Sequence, residues 1–284
     1  MIMLLIGVFQ TVTTISAATA GLNNNRNSFG KGDTIVTTIA LAHSGNPVTV
    51  DAYLILVLPD QTPVFFEYNN GLVPHVASSD PSTWIRLISN VPLTNGFDTG
   101  PLSIFEYTTT GSEQPGLYQW VFAIAPAGTL NLLDLKAVSF FVSPGQVGTL
   151  LGTWNVTTSI PTLGASGTSS VQIVDGSPGV ISLSANGYSA GYTSSFSATG
   201  LLTLQGGISW TMTADIFGTQ VQGNGFIDPN GNISGTINVT VVGPFIQAIT
   251  NISGTISGGI INTTEIVHYT DGTSGLEYLT GVRQ

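Results

Sequence analysis

Gly187-Tyr188-Ser189-Ala190-Gly191 spells G-x-S-x-G, and Asp215, Asp228 and His268 follow it in the order Ser…Asp…His. In that chemistry the serine sits on a sharp turn from a strand into a helix, which exposes its hydroxyl to a histidine base. The residues after it, Tyr192 to Gly200, have no helical period, and a chain with 35 glycines meets such a pattern readily. A glycine-flanked hairpin is the expectation here, and no residue is assigned a catalytic role. Asp228-Pro229-Asn230-Gly231-Asn232 carries oxygen ligands at alternate positions, as a calcium loop begins. Ile233 stands where the loop glycine should be, and no glutamate closes twelve residues, so a type I′ hairpin turn at Asn230-Gly231 is expected instead. His43, His75 and His268 lie far apart without metal-ligand spacing, and no metal or cofactor is expected.

Binding chemistry has two further carriers. Trp84, Trp120, Trp154 and Trp210 could stack on sugars. Trp120 and Trp210 share strand phases with other large apolar residues and read as core. Trp84 falls in a long connection and is the candidate ligand contact. Asn155, Asn232, Asn238, Asn251 and Asn262 begin N-x-S/T sequons, a number close to chance for this composition. Asn155, Asn232, Asn238 and Asn251 lie on the polar phase of their strands, as glycan acceptors must.

Composition narrows the function classes. Charged residues are 7% of the chain, against roughly 25% in an average globular protein. Hydrophobic residues are 42%, so this is not the low-hydrophobicity, high-charge signature of disorder. Lys and Arg total 5 and the net charge is −10, which leaves nothing to build a nucleic-acid-binding patch or a contact with anionic lipid. The absence of cysteine excludes disulfides and thiolate chemistry.

The elements that would carry these residues are strands. Val48 to Tyr68 (VTVDAYLILVLPDQTPVFFEY) is the most hydrophobic interior run and reads as two strands around Pro59-Asp60-Gln61-Thr62. Its polar phase opens with Thr49 and Asp51. Thr34 to Ala42, Ile104 to Thr109, Leu117 to Ala125 and Lys136 to Val142 supply further strands, and Asn23 to Gly32 reads as a linker. The connection 69–102 predicts a short helix over Trp84 to Ser89, with Asp80 as N-cap and Pro81 behind it. The segments "KGDTIVTTIAL", "VTVDAYLILVLPDQTPVFF", "VPLTNGFDTGPLSIFEY" and "PGLYQWVFAI" resemble an immunoglobulin-like module that recurs in large secreted and surface proteins of bacteria. Pro115 to Tyr118 resembles the start of its F strand, where a tyrosine anchors the corner. The resemblance spans about residues 30–142 and implies an extracellular β-sandwich without chemistry.

After Ser143-Pro144-Gly145 the chain turns to Gly, Ser, Thr, Asn and Ile, and Lys and Arg vanish between Lys136 and Arg283. Eight to ten short alternating strands fit between Leu150 and Thr280, as a barrel or a second sandwich. Asn-Ile-Ser-Gly-Thr-Ile occurs at 232–237 and again at 251–256, which reads as a repeated hairpin. The fold class expected is all-β, with an apolar arm or signal-like segment at 1–21, an Ig-like sandwich at 22–143 and an antiparallel domain at 144–284. The arm carries Ile2, Leu4, Leu5, Ile6, Val8, Phe9, Val12 and Ile15, and ends in Ala18-Thr19-Ala20, which resembles a signal cleavage site. Left in water these side chains are sticky, so the arm predicts self-association by strand donation into a neighbour's sheet. The functional expectation is a non-enzymatic, secreted or cell-surface structural protein that polymerises into a filament or sheath. The alternative is a secreted adhesin or carbohydrate binder with glycans as partners, and a hydrolase comes third.

Overall fold

In a computed structural model, the protein is described over residues 10–11, 18–76, 83–161, 164–189, 192–216, 219–238, 248–269 and 271–284. These residues are all-β, without an α-helix. They form two compact units, one of Met1–Asn27, Thr34–Thr109 and Gly116–Val142, the other of Ser28–Asp33, Thr110–Pro115 and Ser143–Gln284. Thirteen strands precede the second half: β1 (Gln10–Thr11), β2 (Ala18–Asn24), β3 (Ser28–Phe29), β4 (Thr34–His43), β5 (Val48–Val57), β6 (Pro63–Tyr68), β7 (Leu72–Val76), β8 (Ile88–Leu93), β9 (Phe97–Asp98), β10 (Leu102–Thr108), β11 (Gly116–Pro126), β12 (Asn131–Leu132) and β13 (Asp134–Val142).

In the first unit one sheet runs β10-β4-β2, with β9 also on β4, and the other runs β13-β11-β5-β6-β7, with β8 also on β5. Phe105 of β10 meets Trp120 of β11 and Phe66 of β6 with ring centres 5.1 and 6.3 Å away, so aromatic contacts join the two sheets. β5 is the hub. One edge pairs with β11, while the other is shared, its first half by β8 and its second by β6. This is why the sequence, which shows the hairpin β5–β6 plainly, misleads over 69–102. Leu87 donates its N–H to Ala52 O, and Tyr68 donates to Leu87 O. Those bonds draw the expected helix 84–89 into the sheet, where Ile88 begins a strand. Asp80 and Pro81 lie outside the described residues.

The expected linker at Asn23 is also strand. β2 pairs with β4 from Ala18↔His43 to Asn24↔Thr37, and the Asn25 side chain bonds Val36 N and Thr34 O. The Asn25 side chain, through these two backbone partners, holds what composition alone reads as loose, and the Thr37 hydroxyl donates to Asn24 Oδ1. Ala18 and Ala20, the cleavage-site look-alikes, are buried in this strand.

The second half is β14 (Gly152–Ile160), β15 (Ala165–Asp175), β16 (Val180–Ser189), β17 (Tyr192–Leu202), β18 (Ile208–Ile216), β19 (Thr219–Ile227), β20 (Asn232–Asn238), β21 (Ala248–Ser257), β22 (Ile260–His268) and β23 (Ser274–Arg283). Each strand pairs antiparallel with the next, and β23 pairs back onto β14, closing a ten-stranded barrel. Closure removes the unpaired edges that a sheet this poor in charge would otherwise present. Trp210 on β18 lies across the two inward glycines Gly225 and Gly235, where an added Cβ would stand 2.3 Å from its ring. The hexapeptide repeat is one strand copied onto its neighbour, not a hairpin copied whole. β20 and β21 pair with Ile233 opposite Gly254 and Gly235 opposite Ile252, so each copy's isoleucine meets the other's glycine.

The turns share one geometry. At Leu58–Thr62, Thr203–Gly207 and Asp228–Asn232 the first residue donates to the fifth's carbonyl and accepts from the fourth's N–H. The fourth residue is left-handed: Gln61 at φ 71°, Gly206 at 90°, Gly231 at 85°. Asn230 is not left-handed, so Asn230-Gly231 belongs to this three-residue loop rather than to the expected type I′ turn. Gln61 occupies a position that favours glycine, at a cost of roughly 1 kcal/mol. Gln61→Gly is expected to raise stability by about 0.5 kcal/mol after the added entropy of the unfolded chain is subtracted. A urea midpoint at or below that of the parent would contradict this.

Candidate functional site

The serine pattern closes a hairpin. Ser189 ends β16 and pairs with Tyr192 at the start of β17, so a strand follows the serine where the hydrolase elbow needs a helix. Asp228 Oδ1 accepts from the N–H groups of Asn230 and Asn232, and its Oδ2 accepts from Asn232 Nδ2. These bonds pull the carboxyl below the ordinary carboxylate range, the Asn232 side chain contributing most. The would-be calcium loop is thus occupied by its own turn. His43 Nε2 bonds Asn46 O, His75 stands 3.4 Å from Glu67, and His268 bonds Ser274. Among the described residues no three His, Cys, Asp or Glu side chains converge as a metal set.

Trp84 does not offer its face to a ligand. It is 8% exposed and packs on Phe65 at 5.3 Å, in a core with Tyr53, Ile55 and Val121. The connection that looks like a surface loop runs through β8, beside β5, and buries its largest side chain on the way. Asn155, Asn232, Asn251 and Asn262 are exposed on the outside of the barrel, and the side chain of Asn238 lies outside the described residues. So do the arm residues Ile2, Leu4, Leu5, Ile6, Val8, Phe9, Val12 and Ile15. The described piece of the arm, Gln10–Thr11, pairs in parallel with Asn131–Leu132 of the same chain.

Two charged clusters were hidden from the sequence. Asp51, on the polar phase of β5, is 2% exposed. Its Oδ1 accepts from Asn90 N at 2.9 Å and its Oδ2 from Gly128 N at 2.9 Å, and the Arg86 guanidinium stands 2.7 Å away. Burial pushes this carboxyl up, but the two N–H groups and Arg86 outweigh burial and hold it below the ordinary range. With these partners fixed, Asp51 ties β5 to β8 and to the turn after β11 and is a structural group.

The second cluster lies in the barrel lumen. Glu265 on β22 and Glu277 on β23 are register partners at inward positions, flanked by Ile252 on β21. Burial alone pushes Glu265 up to about 7. Burial, and then the charge of Glu265, push Glu277 up to about 8. On the outer wall, by contrast, Ser197, Thr199, Thr211, Thr213, Gln222 and Asn224 line a polar groove of about 320 Å³. Periodicity could not tell the two faces of β22 and β23 apart, because Ile266, Leu276 and Tyr278 point outward and are exposed.

Both glutamates have raised native pKa values, so the folded barrel binds protons that the unfolded chain releases above roughly pH 4.3. Their contribution to stability is complete below that pH and is lost as pH rises through 7 to 8. Stability should therefore fall between pH 5 and pH 8, by up to about 1.4 kcal/mol per pH unit for each proton involved. The double variant Glu265→Gln/Glu277→Gln should flatten that fall in urea unfolding followed against pH. An unchanged slope would place the two carboxyls in water.

No family model matches the sequence, and no curated protein matches it. Among solved structures the chain is similar to a redesigned β barrel, mFAP1, bound to DFHBI, at 14% identity over 48% of this chain and 96% of that one, with a TM-score of 0.29. It is similar to EF1p2_mFAP2b bound to DFHBI at 16% identity over 48% and 95%, with a TM-score of 0.30. It is also similar to Spo0M, a sporulation control protein from Bacillus subtilis, at 12% identity over 70% and 80%, with a TM-score of 0.27. Likenesses this distant carry no argument about fold or function.

Proposed function

We propose that the chain is a non-enzymatic structural subunit of an extracellular assembly, a surface filament or sheath, joined by strand donation through its apolar N-terminal arm. The observation that carries this reading is the edge strand β10. Among the described residues only β4 pairs with it, and it exposes Leu102 and Tyr107. A strand laid along that edge would satisfy its backbone groups and cover its apolar side chains. A head-to-tail contact of this kind is heterologous and extends into a fibre when it does not close. Among the other strands at sheet ends, β7 is blunted by Pro74, which has no N–H to offer. The first unit is read as an immunoglobulin-like sandwich. Its two facing sheets support that, as does Tyr118, buried early in β11 against Phe140 at 5.3 Å.

The test is deletion of residues 1–17 with secretion kept through a foreign signal. The cut stops before Ala18 because β2 belongs to the sheet. Soluble monomers with an intact circular dichroism spectrum are expected. Filaments of normal length and abundance on electron-microscope grids would overturn the reading.

A secreted adhesin or carbohydrate binder is the second reading, and the outer groove favours it. Its hydroxyl and amide groups match the hydrogen-bonding needs of a sugar. Under that reading Gln222→Ala/Asn224→Ala should abolish a glycan-array signal that the parent gives, and a parent without any signal would dismiss it.

A further inference from the structure

One row of register partners crosses the barrel wall from Trp210 through Gly225, Gly235, Ile252 and Glu265 to Glu277. Alternation turns all six inward. The two glycines leave room above them, and the Trp210 ring fills part of it. Ten strands enclose a wider lumen than the eight that side chains just fill. Glu265, Glu277, Thr263 and Leu279 are only half-buried although they point inward, so space remains beside them.

Two polar groups in this lumen have no hydrogen bond among the described residues. Trp210 is 9% exposed, and its Nε1 is buried without a hydrogen bond among the described residues. The same holds for Thr263 Oγ1, two residues before Glu265 on the same face of β22. A buried donor or hydroxyl left unpaired costs about 1–3 kcal/mol, so such groups mark places where a ligand can bond. No internal cation answers the carboxyl pair. The second unit has Lys31 and Arg283 as its Lys and Arg; Lys31 is on none of the ten strands, and Arg283, on the inward phase at the far end of β23 six residues from Glu277, is exposed and donates to Thr149 O. Ile252 and Val267 are the neighbours on β21 and β22, Ile160 packs in from β14, and Tyr269 follows the end of β22. None of these carries charge at neutral pH.

We propose that the barrel lumen binds a small hydrophobic primary amine, its ammonium held between Glu265 and Glu277 and its apolar body against Ile160, Ile252 and Val267. The ammonium has three donors, which two carboxylates and the Thr263 hydroxyl can accept. Two adjacent carboxyls in a low-dielectric site cannot both ionise alone, and a cation between them removes that repulsion. Binding at neutral pH therefore releases protons from the pair, in keeping with their raised pKa values. Glu265 and Glu277 each lie three residues from the strand ends His268 and Ser274, about 10 Å along the strand. The proposal is independent of the assembly reading.

Isothermal titration of the full chain at pH 7 with hexylamine tests it, run in two buffers of different ionisation enthalpy. Saturable binding with proton release is expected, with hexanol at least tenfold weaker. Each single variant, Glu265→Gln and Glu277→Gln, should weaken hexylamine at least tenfold while keeping the circular dichroism of the parent, so the outcome does not hang on the double variant folding. No saturable heat, equal binding of hexanol, or binding indifferent to both substitutions would overturn the proposal. Tighter binding of calcium chloride that is lost in the same variants would overturn it in favour of a metal.

Discussion

A tryptophan laid over two glycines sets the interior of the barrel. Trp210 needs the space of two side chains, and Gly225 and Gly235 supply it on the two strands that follow β19's neighbour. The same pairing of large with small recurs where Ile233 faces Gly254 and Ile252 faces Gly235. Interiors close-pack, so a closed wall with fixed register accepts bulk at one position only where its neighbours give way. The lumen that remains, and the glutamates inside it, follow from how these large and small residues alternate around the ring.

In the first unit a different constraint plays that part. Asp51 is buried on the hub strand, and its two oxygens gather Asn90 of β8, Arg86 just before it, and Gly128 in the turn after β11. A buried carboxylate without such partners would be strongly unfavourable. Its bonds add to the backbone pairing that holds β8 beside β5. The rest of the unit is apolar packing between two sheets, with Phe66, Phe105 and Trp120 in ring contact.

The two units treat polarity in opposite ways. The first buries one charged group and saturates it. The second turns Ser, Thr, Asn and Gln outward and keeps two carboxyls inside with no protein cation near them. That outward face also carries Ile266, Leu276 and Tyr278. It leaves hydrogen-bonding groups such as those of Ser197, Thr213 and Asn224 at the surface, and it leaves the lumen as the place where charge is uncompensated.

Sequence alone determined what depends on local periodicity. The alternation in β4, β5, β11, β18 and β20 identified strands, and the hairpin β5–β6 stood out. Context around Ser189 pointed to a hairpin, and Ser189 does end β16 opposite Tyr192 of β17. Only tertiary structure decided the rest, because each remaining feature depends on a partner distant in the chain. The segment 84–89 left helix for strand when β5 offered it an edge, and Trp84 went into the core with it. Asn23 to Asn25 became ordered through β4. Asp51 turned from a surface residue into a buried anchor because Arg86, Asn90 and Gly128 converge on it. For β22 and β23 the two phases carry similar mixtures of polar and apolar residues, so period two shows a strand but not its inward side. Barrel closure makes that choice, and with it turns Glu265 and Glu277 to face each other.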